Sequence, residues 1–143
     1  MRYVDTSVLV PLFRDEAVSL KVEDFLGRQP AGCLAISHWT RVEFASAFAR
    51  DVRMGLHEKF ALQAIGEFEQ LVAESFITWL PTAADYELAR GFVQRFASKL
   101  RAGDALHLAI AKNHGAEMVY TLDEGLLSAA RLLKVRASKG IRS

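Results

Sequence analysis

The chain of 143 residues is 51% hydrophobic and carries 18 Lys+Arg against 17 Asp+Glu, a formal net charge of +1. A chain of this length fits one domain and can bury about 68–70% of its unfolded surface without a metal or disulfide staple. The composition excludes a disordered polar tract and a collagen-like repeat, and the balanced charge excludes a broad basic surface as the means of holding nucleic acid.

In chain order, short strands alternate with longer helices. Arg2–Val4 reads as a strand, and Thr6–Phe13 as a brief helix capped by Asp5 or Thr6. Ala17, Val18, Leu20, Val22, Phe25 and Leu26 give Glu16–Leu26 a helical apolar face, stopped by Gly27. Cys33–Ile36 is a fully apolar strand, and Ser37 is the start signal of a helix over Thr40–Met54. Val42, Ala45, Ala49 and Val52 are expected to form its buried face, with Gly55 ending it. His57–Glu74 forms a second long helix and closes a hairpin with the first. Phe76–Leu80 reads as a strand, and Pro81-Thr82 opens a helix reaching about Phe96. Asp104–Asn113 is apolar on nearly all sides, the mark of a buried helix. Met118–Thr121 is a further strand, Asp123–Leu133 a further helix, and Val135–Ala137 a short final strand. This alternation predicts an α/β fold, a three-layer sandwich with a short, mainly parallel sheet flanked by helices.

The single cysteine, Cys33, cannot form an internal disulfide, and its apolar run suits a buried thiol. No apolar run approaches the roughly 18 residues of a membrane span, and the N-terminus lacks the pattern of a signal peptide. A cytoplasmic protein is the expectation.

Four acids stand out by position. Asp5 follows the first strand and Asp123 follows the Met118–Thr121 strand, so both face the crevice at the carboxyl ends of a parallel sheet. Asp104 opens the buried helix. Each of these aspartates also suits a helix cap or first turn. Glu43 lies well inside its helix, where the bland reading is a solvated surface glutamate. Four carboxylates at one sheet edge would repel unless a cation joined them. Hard divalent ions take such oxygen ligands, and a pair of them can promote in-line phosphodiester displacement.

Asp5-Thr6-Ser7-Val8-Leu9, Arg41-Val42-Glu43-Phe44 with Arg50 beyond, Asp104-Ala105-Leu106-His107-Leu108-Ala109 and Thr121-Leu122-Asp123 resemble, in order, the motifs of PIN-domain ribonucleases, and above all the VapC-type toxins of toxin–antitoxin pairs. The resemblance runs from residue 3 to about residue 133 and implies a single PIN-like nuclease domain over residues 1–143. It implies a Mg2+- or Mn2+-dependent endoribonuclease that hydrolyses structured RNA such as tRNA or rRNA, with Asp5, Glu43, Asp104 and Asp123 as the acidic metal site. Thr6, Ser7 and Thr121 match supporting positions. Where the family often has a basic residue after the last Asp, this chain has Glu124-Gly125. The resemblance also implies a VapB-like antitoxin, expected to dock an amphipathic segment on the helical hairpin around Phe44, Phe48, Phe60, Leu62, Phe68 and Leu71, and a homodimer.

The expected products are a 5′-phosphate and a 3′-hydroxyl. His107, one turn after Asp104, reads as a packed or hydrogen-bonded helix histidine rather than a general base. Arg90, Arg95, Lys99 and Arg101, and the C-terminal Arg131, Lys134, Arg136, Lys139 and Arg142, are candidate phosphate contacts whose bland reading is a solvated face. Trp39 and Trp79 suit packing better than base stacking. Two other functions fit less well. A non-catalytic PIN-like RNA- or protein-binding module would not need all four acids. An acidic-pocket phosphotransfer domain of the haloacid-dehalogenase type would want a second Asp two residues after Asp5, where Ser7 stands.

Overall fold

The computed structural model describes residues 1–142. Its elements run β1 (Arg2–Val4), α1 (Thr6–Leu9), α2 (Ser19–Gly27), β2 (Leu34–Ser37), α3 (His38–Arg53), α4 (Glu58–Ser75), β3 (Ile77–Trp79), α5 (Ala83–Gln94), α6 (Ala102–Asn113), β4 (Met118–Tyr120), α7 (Glu124–Leu132) and β5 (Ala137–Ser138). Single 3-10 turns follow α1 and α5. The strands form one five-stranded sheet of order β3-β2-β1-β4-β5. Every pairing is parallel, with Tyr3 opposite both Ala35 and Val119.

Alternation along β1 divides the core. Tyr3 packs with Leu108, Ile110, Leu126 and the rest of the α5–α7 layer. Val4 packs with Val8, Leu9, Phe44, Phe48 and Phe68 in the α1–α4 layer. The sheet is therefore covered on both faces, as a parallel sheet built from crossovers must be. The chain leaves central β1 toward β2 and β3, then crosses back to β4 and β5 on the other side. The crevice between the carboxyl ends of β1 and β4 is the switch point, where ligands of open α/β sheets bind.

Most boundaries fall within two residues of those read from the sequence, and the differences have local causes. The second helix starts at Ser19 rather than Glu16, because the Ser19 hydroxyl accepts from the Glu16 amide and donates to the Arg14 carbonyl, holding 14–19 as a turn. Gly27 lies inside that helix, not beyond it. β5 is Ala137–Ser138, later than expected. Lys134 takes a left-handed φ of 59° just after α7, and Val119 and Thr121 donate to the Arg136 and Ser138 carbonyls.

The larger correction concerns α3. Its buried residues are Thr40, Phe44 and Phe48, while Val42 is exposed. Phe44 stacks on Phe68 of α4 with ring centroids 3.8 Å apart, and Phe13 meets both rings edge-on. Large aromatic rings bury more apolar area than valine and alanine, so the phenylalanine stripe sets the helix rotation. The α3–α4 hairpin turns at Gly55, whose φ of +115° favours a residue without Cβ. Phe44 and Phe68, with no exposure, are thereby core residues, unavailable to a partner, and Phe48 keeps only an edge at the surface. Cys33 is half-buried and packs beside the α1–α4 layer. No helix among the described residues is long and apolar enough to cross a membrane.

Candidate active site

Each acid is placed by a local device. Asp5 caps α1, and its Oδ2 accepts from the Ser7 amide (3.3 Å), the Ser7 hydroxyl (2.6 Å) and the Thr121 hydroxyl (2.8 Å). Ser7 Oγ also accepts from the Leu122 amide, and Thr121 Oγ1 from the Asp123 amide. Ser7 and Thr121 thus stitch the end of β1 to the loop after β4 and occupy one oxygen of Asp5. Its other oxygen, Oδ1, faces the cluster, 3.4 Å from His107 Nε2. Asp123 is exposed and caps α7 by accepting from the Leu126 amide. Asp104 sits in the first turn of α6, and its carboxylate accepts no hydrogen bond among the described residues.

Glu43 is half-buried rather than solvated. Its Oε1 accepts a 2.7 Å bond from Thr6 Oγ1 and a short bond from His107 Nε2. Thr6 is therefore a Glu43 contact, and Asp5 is the cap. His107 is indeed packed and hydrogen-bonded, with no exposure, but its partners are the acids themselves. Behind it, Nδ1 lies 2.6 Å from the Tyr3 hydroxyl, which meets Ser37 Oγ at 2.9 Å and Thr40 Oγ1 at 3.2 Å. Asp5, Glu43 and His107 each offer a ligand atom within 4.8 Å of the others.

Electrostatics ties the remaining acids to this group. Burial, then the charges of Asp5, Asp123 and Glu43, push the Asp104 carboxyl up to about 6, against a smaller opposing effect of His107. Burial raises Glu43, but the His107 bond and charge and the Thr6 bond outweigh it and hold the carboxyl below its ordinary value. Burial disfavours charge on His107, yet the Tyr3, Glu43 and Asp5 contacts together raise it well above the ordinary imidazole value. The carboxylates fit a divalent cation by their chemistry. They are hard oxygen donors, Asp5 Oδ1 faces the cluster, and the Asp104 carboxyl, raised by burial and then by like charges, is one that a cation would favour in its ionised form.

The seam between α3 and α6 is narrow. Trp39 donates its indole N–H to the Gly103 carbonyl at 3.2 Å. A Cβ on Gly103 would lie 3.0 Å from Glu43 Oε2 and 3.2 Å from Trp39 Cζ2. Gly103→Ala must therefore displace a carboxylate that Thr6 and His107 hold in place. A shift of a few tenths of an ångström is expected to weaken divalent-metal binding roughly tenfold while the melting temperature changes little. Isothermal titration with Mn2+ checks it. Trp79 stacks between Tyr3 (6.0 Å) and His114 (4.7 Å), a packing role.

Of the basic residues, Arg95, Lys99, Arg101, Arg131, Lys134, Arg136 and Arg142 are exposed. Arg90 pairs with Glu87, and Lys139 with Glu124, so a cation does stand beside the acidic loop after Asp123.

The PIN domain profile matches residues 2–132. The chain belongs to the PIN domain family. No curated protein matches this PIN chain. Solved structures share its fold. FitAcB from Neisseria gonorrhoeae is 23% identical with a TM-score of 0.72, covering 98% of each chain. VapC20 from Mycobacterium tuberculosis, a sarcin-ricin loop cleaving toxin, is 20% identical with a TM-score of 0.73, over 90% of this chain and 95% of that one. A toxin–antitoxin complex from Klebsiella pneumoniae is 17% identical with a TM-score of 0.70 over the whole of both chains.

Proposed function

We propose that this PIN protein is a metal-dependent endoribonuclease, the toxin of a VapBC-type toxin–antitoxin pair, acting on structured RNA such as tRNA or rRNA. The observation that carries the reading is the Asp104 carboxyl, pushed up to about 6 by burial and by the charges of Asp5, Asp123 and Glu43. That the other three acids of the motif all act on Asp104 supports reading the four as one site. Family membership and the fold shared with a sarcin-ricin loop cleaving toxin favour RNA as the substrate.

Asp5, Glu43, Asp104 and Asp123 would hold Mg2+ or Mn2+, which when bound supplies Lewis-acid activation of water and neutralises charge on the phosphodiester. Ser7 and Thr121 fix Asp5 so that one oxygen stays directed at the site. Thr6 and His107 do the same for Glu43. Water would add to phosphorus in line as the 3′ oxygen leaves and takes a proton, giving a 5′-phosphate and a 3′-hydroxyl. Exposed Lys99, Arg101 and Arg95 lie just before Asp104 in sequence and would bind phosphates flanking the cut. The test is to incubate the purified chain with total cellular RNA, with Mg2+ or Mn2+ and then with EDTA. Discrete cuts bearing 5′-phosphates, lost with EDTA, are expected. RNA binding without any cleavage would favour a non-catalytic module instead.

The α3–α4 hairpin supplies the partner surface. Beside its turn lies a groove of about 530 Å3 lined by Phe13, Phe48, Met54, Leu56 and Phe60, with Arg14, Asp15 and Asp51 at the rim. Met54 and Phe60 are 79% and 55% exposed. Apolar anchors framed by charge suit an amphipathic antitoxin segment. Phe60→Asp is expected to weaken capture of the antitoxin encoded beside this chain at least about tenfold without lowering the melting temperature. A pull-down with both proteins co-expressed checks it. Homodimerisation is the second partner expectation. An apolar groove of about 620 Å3 between Trp39, Tyr86, Val93 and Leu106 offers a surface for it, and sizing the isolated protein tests it.

A further inference from the structure

We propose that Tyr3 is a positioning residue of the acidic site: together with His107 it sets the rotation of α3 about its own axis, and so the place of the Glu43 carboxylate. The inference rests on the metal-dependent reading above and leaves the four acids as the metal site.

Three observations carry it. Tyr3, Ser37, Thr40 and His107 have no exposure and form one polar network in the core. Packing alone does not call for it, because phenylalanine would fill the same place against Trp79 without a hydroxyl to satisfy. Second, the network grips α3 twice on one face. The Tyr3 hydroxyl holds Thr40 in its first turn, and His107 Nε2–H donates to Glu43 three residues on. Third, the two grips are tied to each other, since His107 Nδ1 has the Tyr3 hydroxyl 2.6 Å away. A phenol can donate or accept, so this bond stands whichever of the two atoms holds the proton. Tyr3 comes from β1 and His107 from α6, so α3 is referenced both to the sheet and to the helix that carries Asp104.

The phenylalanine stripe chooses which side of α3 faces the core, but apolar contact is non-directional. Hydrogen bonds of defined geometry set the last few degrees. A turn of about 10° carries a carboxylate about 6 Å from the helix axis through about 1 Å. A displacement of that size at a catalytic site can cost about 100-fold in rate.

The test is Y3F, which removes the hydroxyl and keeps the ring. Mn2+ affinity by calorimetry is expected to fall about tenfold, and kcat for RNA cleavage at least about tenfold with KM little changed. A second readout needs no metal. In the metal-free protein with 15N-labelled histidine, the His107 Nε2–H proton resonance, assigned by its persistence in H38Q/H57Q/H114Q, is expected to move upfield as the bond to Glu43 lengthens. T40V, which frees the other grip, should show the same losses, and T40S, which keeps the hydroxyl, should not. If Y3F does not fold, this pair still decides the matter. An unmoved Nε2–H resonance or wild-type Mn2+ affinity in the folded variants would overturn the proposal, with the nuclease reading intact. A wild-type chain that binds no Mn2+ at millimolar concentration would overturn the nuclease reading, and the metal-free resonance would still decide the role of Tyr3.

Discussion

Asp5→Asn is expected to reduce RNA cleavage at least about 100-fold while leaving the fold in place. The asymmetry of the Asp5 carboxylate explains why the two effects separate. Its Oδ2 is the acceptor for the Ser7 amide, the Ser7 hydroxyl and the Thr121 hydroxyl, and an amide oxygen can take all three. The remaining position then presents an NH2 group to Glu43 and His107 in place of a carboxylate oxygen. A negative ligand is exchanged for a neutral donor at the centre of the cluster. Asp5→Ala would differ, because it strips the acceptor from two hydroxyls at a nearly buried position and destabilises the junction of β1 with the loop after β4. Cleavage assays at saturating Mg2+ or Mn2+, alongside thermal melts, distinguish the two variants. Full activity in Asp5→Asn would sink the assignment of the site.

Asp104→Asn is expected to stabilise the metal-free protein and to abolish metal-dependent cleavage. With a folded-state pKa raised to about 6 from 3.8, the native protein binds this proton more tightly than the unfolded chain does. Stability of the metal-free protein therefore falls as pH rises from about 4 through about 6. At pH 7 the ionised carboxylate is a net cost. Removing it should gain about 1 kcal/mol, less than the full shift implies because the carboxyl is partly open to water, and after the loss of its favourable place at the start of α6. The gain should vanish below about pH 4, where wild type is protonated too. Saturating metal should reverse the order. Wild type gains about 2.7 kcal/mol at a hundredfold excess over Kd, and the variant gains less. Melts at pH 4, 5, 6 and 7, with and without Mn2+, give the full pattern. In the metal-free protein the same carboxyl must lose its proton before it can take the ion, so divalent-metal affinity should weaken as pH drops through about 6. A less stable Asp104→Asn protein at pH 7 without metal would contradict the repulsion argument.

Much of the fold was legible because its signals are local. Ser37 and Thr82 open their helices with reciprocal capping bonds to residues three positions on, and Asp5 and Asp123 cap through amides two and three positions away. The near-continuous apolar run 105–111 is buried throughout, as its composition required. The rotation of α3 was not legible. Val42, Ala45, Ala49 and Val52 make an acceptable helical stripe on paper, and only the rings of Phe13 and Phe68 show why Phe44 and Phe48 turn inward instead. That rotation is also what takes Glu43 out of water and into reach of Thr6 and His107.

The sequence by itself determined the alternation of strands and helices, the parallel sheet, and the delivery of Asp5 and Asp123 to the carboxyl ends of β1 and β4. Caps and apolar periodicity depend on neighbours a few residues away. Only the tertiary structure decided the composition of the site. Tyr3 and His107 are 104 positions apart and His107 and Glu43 are 64 apart, yet each pair is in hydrogen-bond contact. The near-zero net charge conceals an arrangement in which a buried histidine stands among the acids, and no spacing rule links residues joined only by packing two helix layers against one sheet.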